Sequence, residues 1–172
     1  KWIGSSSYAG AHANTNNSTI LTNLVAWYNS NLKTYESVIA DTVWCNDKTN
    51  VIDTTYNPEF GDTPTGLGYG NNRTYYGATQ RLVSGRGKYG GIAGGTGPSL
   101  KCNGELSKIT LKVGLITADE LALAGYAYYI SNTTAYLQEN ATDTDWWSLS
   151  PGHFTGSDAY VWLGPGSGSG LF

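Results

Sequence analysis

The stretch Asp158 to Gly164, DAYVWLG, alternates with period two, a pattern that suits an extended strand and that no helix keeps on one face. Ala159, Val161 and Leu163 fall on one side; Asp158, Tyr160 and Trp162 fall on the other. Upstream, Trp147, Leu149 and Ser148 begin a strand expected to break at Pro151-Gly152, and Thr155-Gly156-Ser157 supplies a turn. Two antiparallel strands follow. The expected arrangement turns Ala159, Val161 and Leu163 inward and presents Asp158, Tyr160, Trp162 and His153 outward as a contact face. The competing arrangement buries both faces and puts Trp162 in the core.

The segment around this hairpin, Asp145 to Phe172, holds three tryptophans, a histidine and a tyrosine among serines and glycines, with no Lys or Arg. Rigid rings among small, adaptable polar residues characterise contact surfaces, because ring area is immobilised at low entropic cost. Acid–base catalysis needs paired titratable groups instead. Composition agrees: charged residues are 13% of the chain, against about 25% in an average soluble domain. Net charge is −3 and the basic residues never cluster, which excludes a nucleic-acid footprint. Apolar residues at 40% exclude disorder. The 172 residues suffice for one domain, residues 1–172. No apolar run spans a bilayer. A chain opening at Lys1 without a signal-like segment reads as a processed or truncated piece, any membrane anchor lying upstream.

Toward the N-terminus, Ile20, Leu24, Trp27 and Tyr28 recur at helical spacing behind a Ser/Thr cap, predicting an amphipathic helix that ends near Asn31. A second short helical stretch runs through Tyr35, Val38 and Ile39, and Thr42 to Cys45 suits a short strand. Residues 50–97 read as irregular, pinned to the core by Tyr75, Tyr76 and Leu82. The run Gly85 to Gly97 lacks the strand–loop–helix context and the G-K-[ST] ending of a phosphate loop, so a flexible surface loop is expected. Leu106 to Ile116 alternates enough for one strand or two. Thr117-Ala-Asp-Glu120 is a capping box opening a helix through Tyr129. Its adjacent carboxylates, Asp119 and Glu120, point to different helix faces, which favours capping over a catalytic pair.

Cys45 and Cys102 have no companions at metal-binding spacing. A disulfide between them would close ~57 residues and contribute about 4 kcal/mol in the chain-entropy model. That reading points to an oxidising, extracytoplasmic location; two separate thiols are the alternative. His12 and His153 lack motif partners, and neither G-x-S-x-G nor H-E-x-x-H occurs, so no enzyme is expected.

The order of motifs resembles a family of bacterial surface domains. The matching pieces are W-Y-x-x-N-L from Trp27, D-T-V-W-C-N-D-K from Asp41, Y-Y-G-A-x-x-R-L from Tyr75 and L-K-C from Leu100. They continue with V-G-L-I-T-A-D-E from Val113, W-W-S-L-S-P from Trp146 and F-x-G-S-x-A-Y-V-W ending at Trp162. The family is grouped with C-type-lectin-like and formylglycine-generating-enzyme-like folds. The resemblance implies an α+β fold, two helices flanking a small twisted antiparallel sheet with long loops. It also implies a Cys45–Cys102 pairing and a ligand face near Trp146 to Trp162. Similar domains serve as adhesive tips or globular domains of type IV pilin-like filaments. The implied partners are a glycan, a host or bacterial surface protein, or neighbouring filament subunits at the cell surface or in a pilus. The E-P-N, Q-P-D and W-N-D calcium signatures of sugar-binding relatives are missing, so no cofactor or metal is expected. The relatives' closing strand is missing too. The expectation is that the end has been lost or that another chain completes the sheet.

Overall fold

A computed structural model describes residues 19–40, 44–46, 49, 51–52, 56, 58, 74–83, 94–101, 105–107, 112–128, 137, 145–155 and 158–164. Helix α1 spans Thr19–Asn31 and is followed by a 3-10 turn, Lys33–Val38. Strand β1 (Trp44–Asn46) pairs antiparallel with β2 (Glu105–Ser107), Cys45 facing Leu106. Helix α2 is Gly77–Leu82 and helix α3 is Ala118–Leu123. Strands β3 (Trp146–Thr155) and β4 (Asp158–Gly164) form a second antiparallel pair. The described architecture is therefore mixed helix and antiparallel sheet, with the strands in two separate two-stranded sheets. Among the described residues no helix is long and apolar enough to cross a membrane.

Helix α1 ends at Asn31, as its sequence pattern predicts, and the Asn31 side-chain amide donates back to the Trp27 carbonyl at 2.8 Å. Its covered stripe runs through Ile20, Leu21, Leu24, Val25 and Tyr28, while Trp27 is 51% exposed. Helical spacing includes Trp27 in the apolar stripe; the packing does not.

The capping box forms as predicted. The Glu120 amide donates to Thr117 Oγ1 at 3.2 Å, and the Thr117 amide donates to Glu120 Oε2 at 2.8 Å. The helix is shorter than its sequence pattern suggests: it stops at Leu123, and Gly125 follows at φ 96°, a left-handed value that glycine takes without Cβ strain. A further cap comes from β3, where Ser150 Oγ accepts the Ala118 amide at 2.9 Å.

Strand β3 is not broken at Pro151-Gly152. It continues to Thr155 and absorbs the proline as irregular register, with shifts between Trp147 and Pro151 and between Pro151 and His153. A proline donates no ladder hydrogen bond, so the strand bulges around it instead of ending. Of the Leu106 to Ile116 segment, only Leu106 and Ser107 belong to a described strand, and residues 112–116 are irregular.

Within the stretch read as irregular, Tyr75 and Tyr76 are buried and Leu82 packs on the core, as expected. The short helix α2 inside it is a feature the sequence reading missed. The last turn of α2 shows what part of the glycine run does. Gly95 N donates to the Gln80 carbonyl at 2.8 Å and Gly97 N to the Arg81 carbonyl at 3.0 Å. Tyr56 shares its hydroxyl between the carbonyls of Thr79 (3.0 Å) and Val83 (3.1 Å). Gly94 to Gly97 thus caps a helix instead of forming a free surface loop; residues 84–93 lie outside the described set.

Two clusters of buried side chains make up the described core. Val83, Ala118, Leu121, Tyr126 and Trp162 form one; Val51, Tyr56 and Tyr75 form the other. Arg81 and Asp119 tie α2 to α3 through two parallel bonds, Nε to Oδ1 at 2.9 Å and Nη2 to Oδ2 at 2.7 Å, with the Ser99 amide adding a third contact to Oδ1. Asp119 is therefore more than a helix-dipole residue. It is a nearly buried ion-pair partner.

Candidate binding pocket on the C-terminal hairpin

Tyr160 and Trp162 lie two residues apart on β4 and so share a face, yet their surroundings differ. Tyr160 is 48% exposed and Trp162 only 4%. Trp162 lies where the helices cover the sheet, and its indole N–H donates to Thr79 Oγ1 at 3.1 Å. The outward placement of Trp162 is therefore corrected: the alternation separates the two faces, but the face holding Trp162 is the one packed against the helices. Val161, expected inside, is only half-buried. The side chains of Asp158, Ala159 and Leu163 lie outside the described set; for Asp158 the register alone is given, opposite Thr155 at the hairpin end.

His153 and Tyr160, paired across the hairpin, stack with ring centroids 4.6 Å apart and an interplanar angle of 3°. Tyr75 reaches β3 through an isolated antiparallel bridge to His153, its ring 5.6 Å from the imidazole. Offset aromatic pairs of this kind contribute about 0.5–1.5 kcal/mol beyond their buried area. Three of the four residues expected to bind ligand (His153, Tyr160 and Trp162) therefore converge on one place.

That place is a half-open cavity of about 180 Å³. Tyr75, His153 and Tyr160 stand at one side, and Trp162, Thr79 and Tyr128 at the other. Tyr128 meets Trp162 edge to face with centroids 5.8 Å apart. Tyr75 belongs to one core cluster and Val83 and Trp162 to the other, so the cavity opens at their seam.

Two polar groups in its wall, Thr79 Oγ1 and the Gly152 carbonyl, are already engaged. Thr79 Oγ1 accepts from Trp162 and donates to the Gly152 carbonyl at 2.8 Å; that carbonyl also accepts the Tyr76 amide at 3.0 Å. Most of the remaining lining surface is ring and aliphatic carbon. Sequence reasoning missed Thr79, Tyr128 and Gly152 as parts of this site. A threonine in a six-residue helix and a tyrosine after a glycine turn carry no local signal of it.

Cys102 lies outside the described residues, as does the Cys45 side chain, so the expected bridge is not placed. His12 is likewise outside them. Among the described residues, no three His, Cys, Asp or Glu side chains gather as a metal site would require. No family model matches the chain, and neither does any curated protein or solved structure.

Proposed function

We propose that this chain is a surface-displayed, non-catalytic recognition domain that binds a glycan or a protein through the aromatic face of its C-terminal hairpin. The observation carrying this reading is the apolar cavity beneath a half-exposed Tyr160 stacked on His153. A large ring held in a fixed orientation at a cavity mouth gives contact area with little entropy left to lose on binding. The C-type-lectin-like fold, the extracellular setting and the bacterial surface family belong to the same reading and rest on the motif order from Trp27 to Trp162. A Cys45–Cys102 bridge belongs to it as well: β1 pairs with β2 so that Cys45 faces Leu106, a few residues after Cys102. Peptide mapping under non-reducing conditions tests that bridge directly.

The decisive experiment for the function compares the protein with Tyr160→Ala on glycan arrays and on intact cells. Loss of binding with the fold retained and the melting temperature lowered by only a few degrees is the expected result, because Tyr160 is half-exposed and its removal forfeits the stack on His153 but opens no sealed cavity. Binding that survives the substitution places recognition elsewhere on the molecule.

A further inference from the structure

We infer that the hairpin cavity receives one neutral aromatic ring of benzene to indole size, not a sugar ring and not a cation. The inference deepens the recognition reading and rests on it. Three observations carry it.

The first is size. The cavity measures about 180 Å³, close to the roughly 150 Å³ of an apolar protein cavity that accepts benzene. It therefore suits one ring and excludes an oligosaccharide.

The second is the state of its polar groups. A pyranose presents hydroxyls around its whole edge, and each that leaves water without a partner carries a desolvation penalty. Here Thr79 Oγ1 already donates and accepts, and the Gly152 carbonyl already takes two donors. A sugar would stack at the mouth but find no partners for its hydroxyls at these two positions.

The third is charge. Among the described residues that line the cavity none is acidic. A cation leaving water for this cavity would therefore find no carboxylate to replace its hydration. A neutral ring meets none of these penalties. It can stack on the Tyr and His faces or pack edge-on against Trp162.

The test uses the whole chain and ligand-observed NMR with four probes: indole, a Gly-Trp-Gly peptide, tetramethylammonium and methyl N-acetylglucosaminide. Indole is expected to bind with a dissociation constant on the order of 1 mM, as suits so small a fragment. The two non-aromatic probes are expected to bind at least ten-fold more weakly.

Gly152→Ala supplies a control that keeps the fold. A Cβ there would lie 3.6 Å from the Tyr160 carbonyl and 3.8 Å from the Trp162 ring, which is ordinary contact distance, so it narrows the cavity without strain. Indole affinity should fall several-fold in this variant at unchanged melting temperature. If Gly-Trp-Gly binds at least as tightly as indole, the ring arrives as a protein side chain. If the peptide is refused, it arrives as a free small molecule.

Preferential binding of the sugar or of tetramethylammonium overturns the inference while leaving hairpin recognition standing. If no probe binds, or indole binds the Gly152→Ala protein unchanged, the cavity is not the site. The Tyr160→Ala surface-binding assay then decides separately whether the hairpin face recognises anything.

Discussion

Trp162 donates its indole N–H to Thr79 Oγ1 at 3.1 Å across a separation of 83 residues. This bond joins the hairpin to α2 at the inner wall of the cavity. Thr79→Val keeps the shape of the side chain but leaves the buried indole N–H without an acceptor and removes one donor from the Gly152 carbonyl. An unsatisfied buried donor costs about 1–3 kcal/mol. Urea denaturation should show a lower midpoint at unchanged slope, with a loss in that range.

The Arg81–Asp119 pair makes a second prediction. Both side chains are largely buried, at 15% and 11% exposure, and their contact is bidentate at 2.7 and 2.9 Å. Removing one partner strands the other charge. Arg81→Met alone and Asp119→Leu alone are each expected to cost about 3 kcal/mol, and the double substitution markedly less than their sum. A double-mutant cycle by chemical denaturation reads this out.

Gly94 and Gly97 both have left-handed backbone, at φ 115° and 93°, yet they should respond differently to alanine. A Cβ on Gly94 would come within 2.6 Å of the Gln80 carbonyl, 2.7 Å of the Val83 carbonyl and 2.8 Å of the Tyr56 ring. At Gly97 nothing lies within 4 Å. Gly97→Ala is expected to cost only the backbone strain, about 1–2 kcal/mol. Gly94→Ala adds a clash with two helix-terminal carbonyls and should lose at least twice as much, measured as a difference in melting temperature.

Tyr56 predicts the behaviour at alkaline pH. Burial, together with the neighbouring Tyr75 and Tyr128, raises its phenol pKa above the ordinary 10.0. A raised folded-state value means that the neutral form is favoured by folding. The stabilisation is therefore complete below about pH 10, the unfolded phenol value. It is lost as pH climbs from there through the folded value. Melting temperature should decline above pH 10 in the wild type. In Tyr56→Phe the decline should be shallower, from a starting point lower by about 1 kcal/mol for the lost hydroxyl bond.

The difference between the expected and observed hairpin explains why a site can be half legible. Period two separates the residues of β4 into two sets, but it cannot say which set is inside when both carry large apolar groups. Tyr160 and Trp162 sit on one face of β4, and only the covering helices make one a rim and the other a wall. Proline led the sequence reading to end β3, whereas the structure spends two register shifts to carry the strand past it. The glycine run reads as a free loop because its hydrogen-bond acceptors, the carbonyls of Gln80 and Arg81, lie in a helix that the sequence pattern hardly announces.

Features closed within a few residues were readable from the chain alone. The Thr117–Glu120 capping box and the end of α1 at Asn31 depend on neighbours one helical turn away, and the antiparallel pairing of β3 with β4 extends outward from the near-neighbour pair Thr155 and Asp158. Local hydrogen bonding and side-chain periodicity suffice to specify them. The cavity, the burial of Trp162, the helix-terminal socket for Gly94 and the Arg81–Asp119 bond belong to the tertiary structure. Each joins segments about 11 to 83 residues apart, and no sequence spacing encodes such a meeting. Burial is decided by what packs on a face, and the polar groups left there must then find whichever partners the packing brings near.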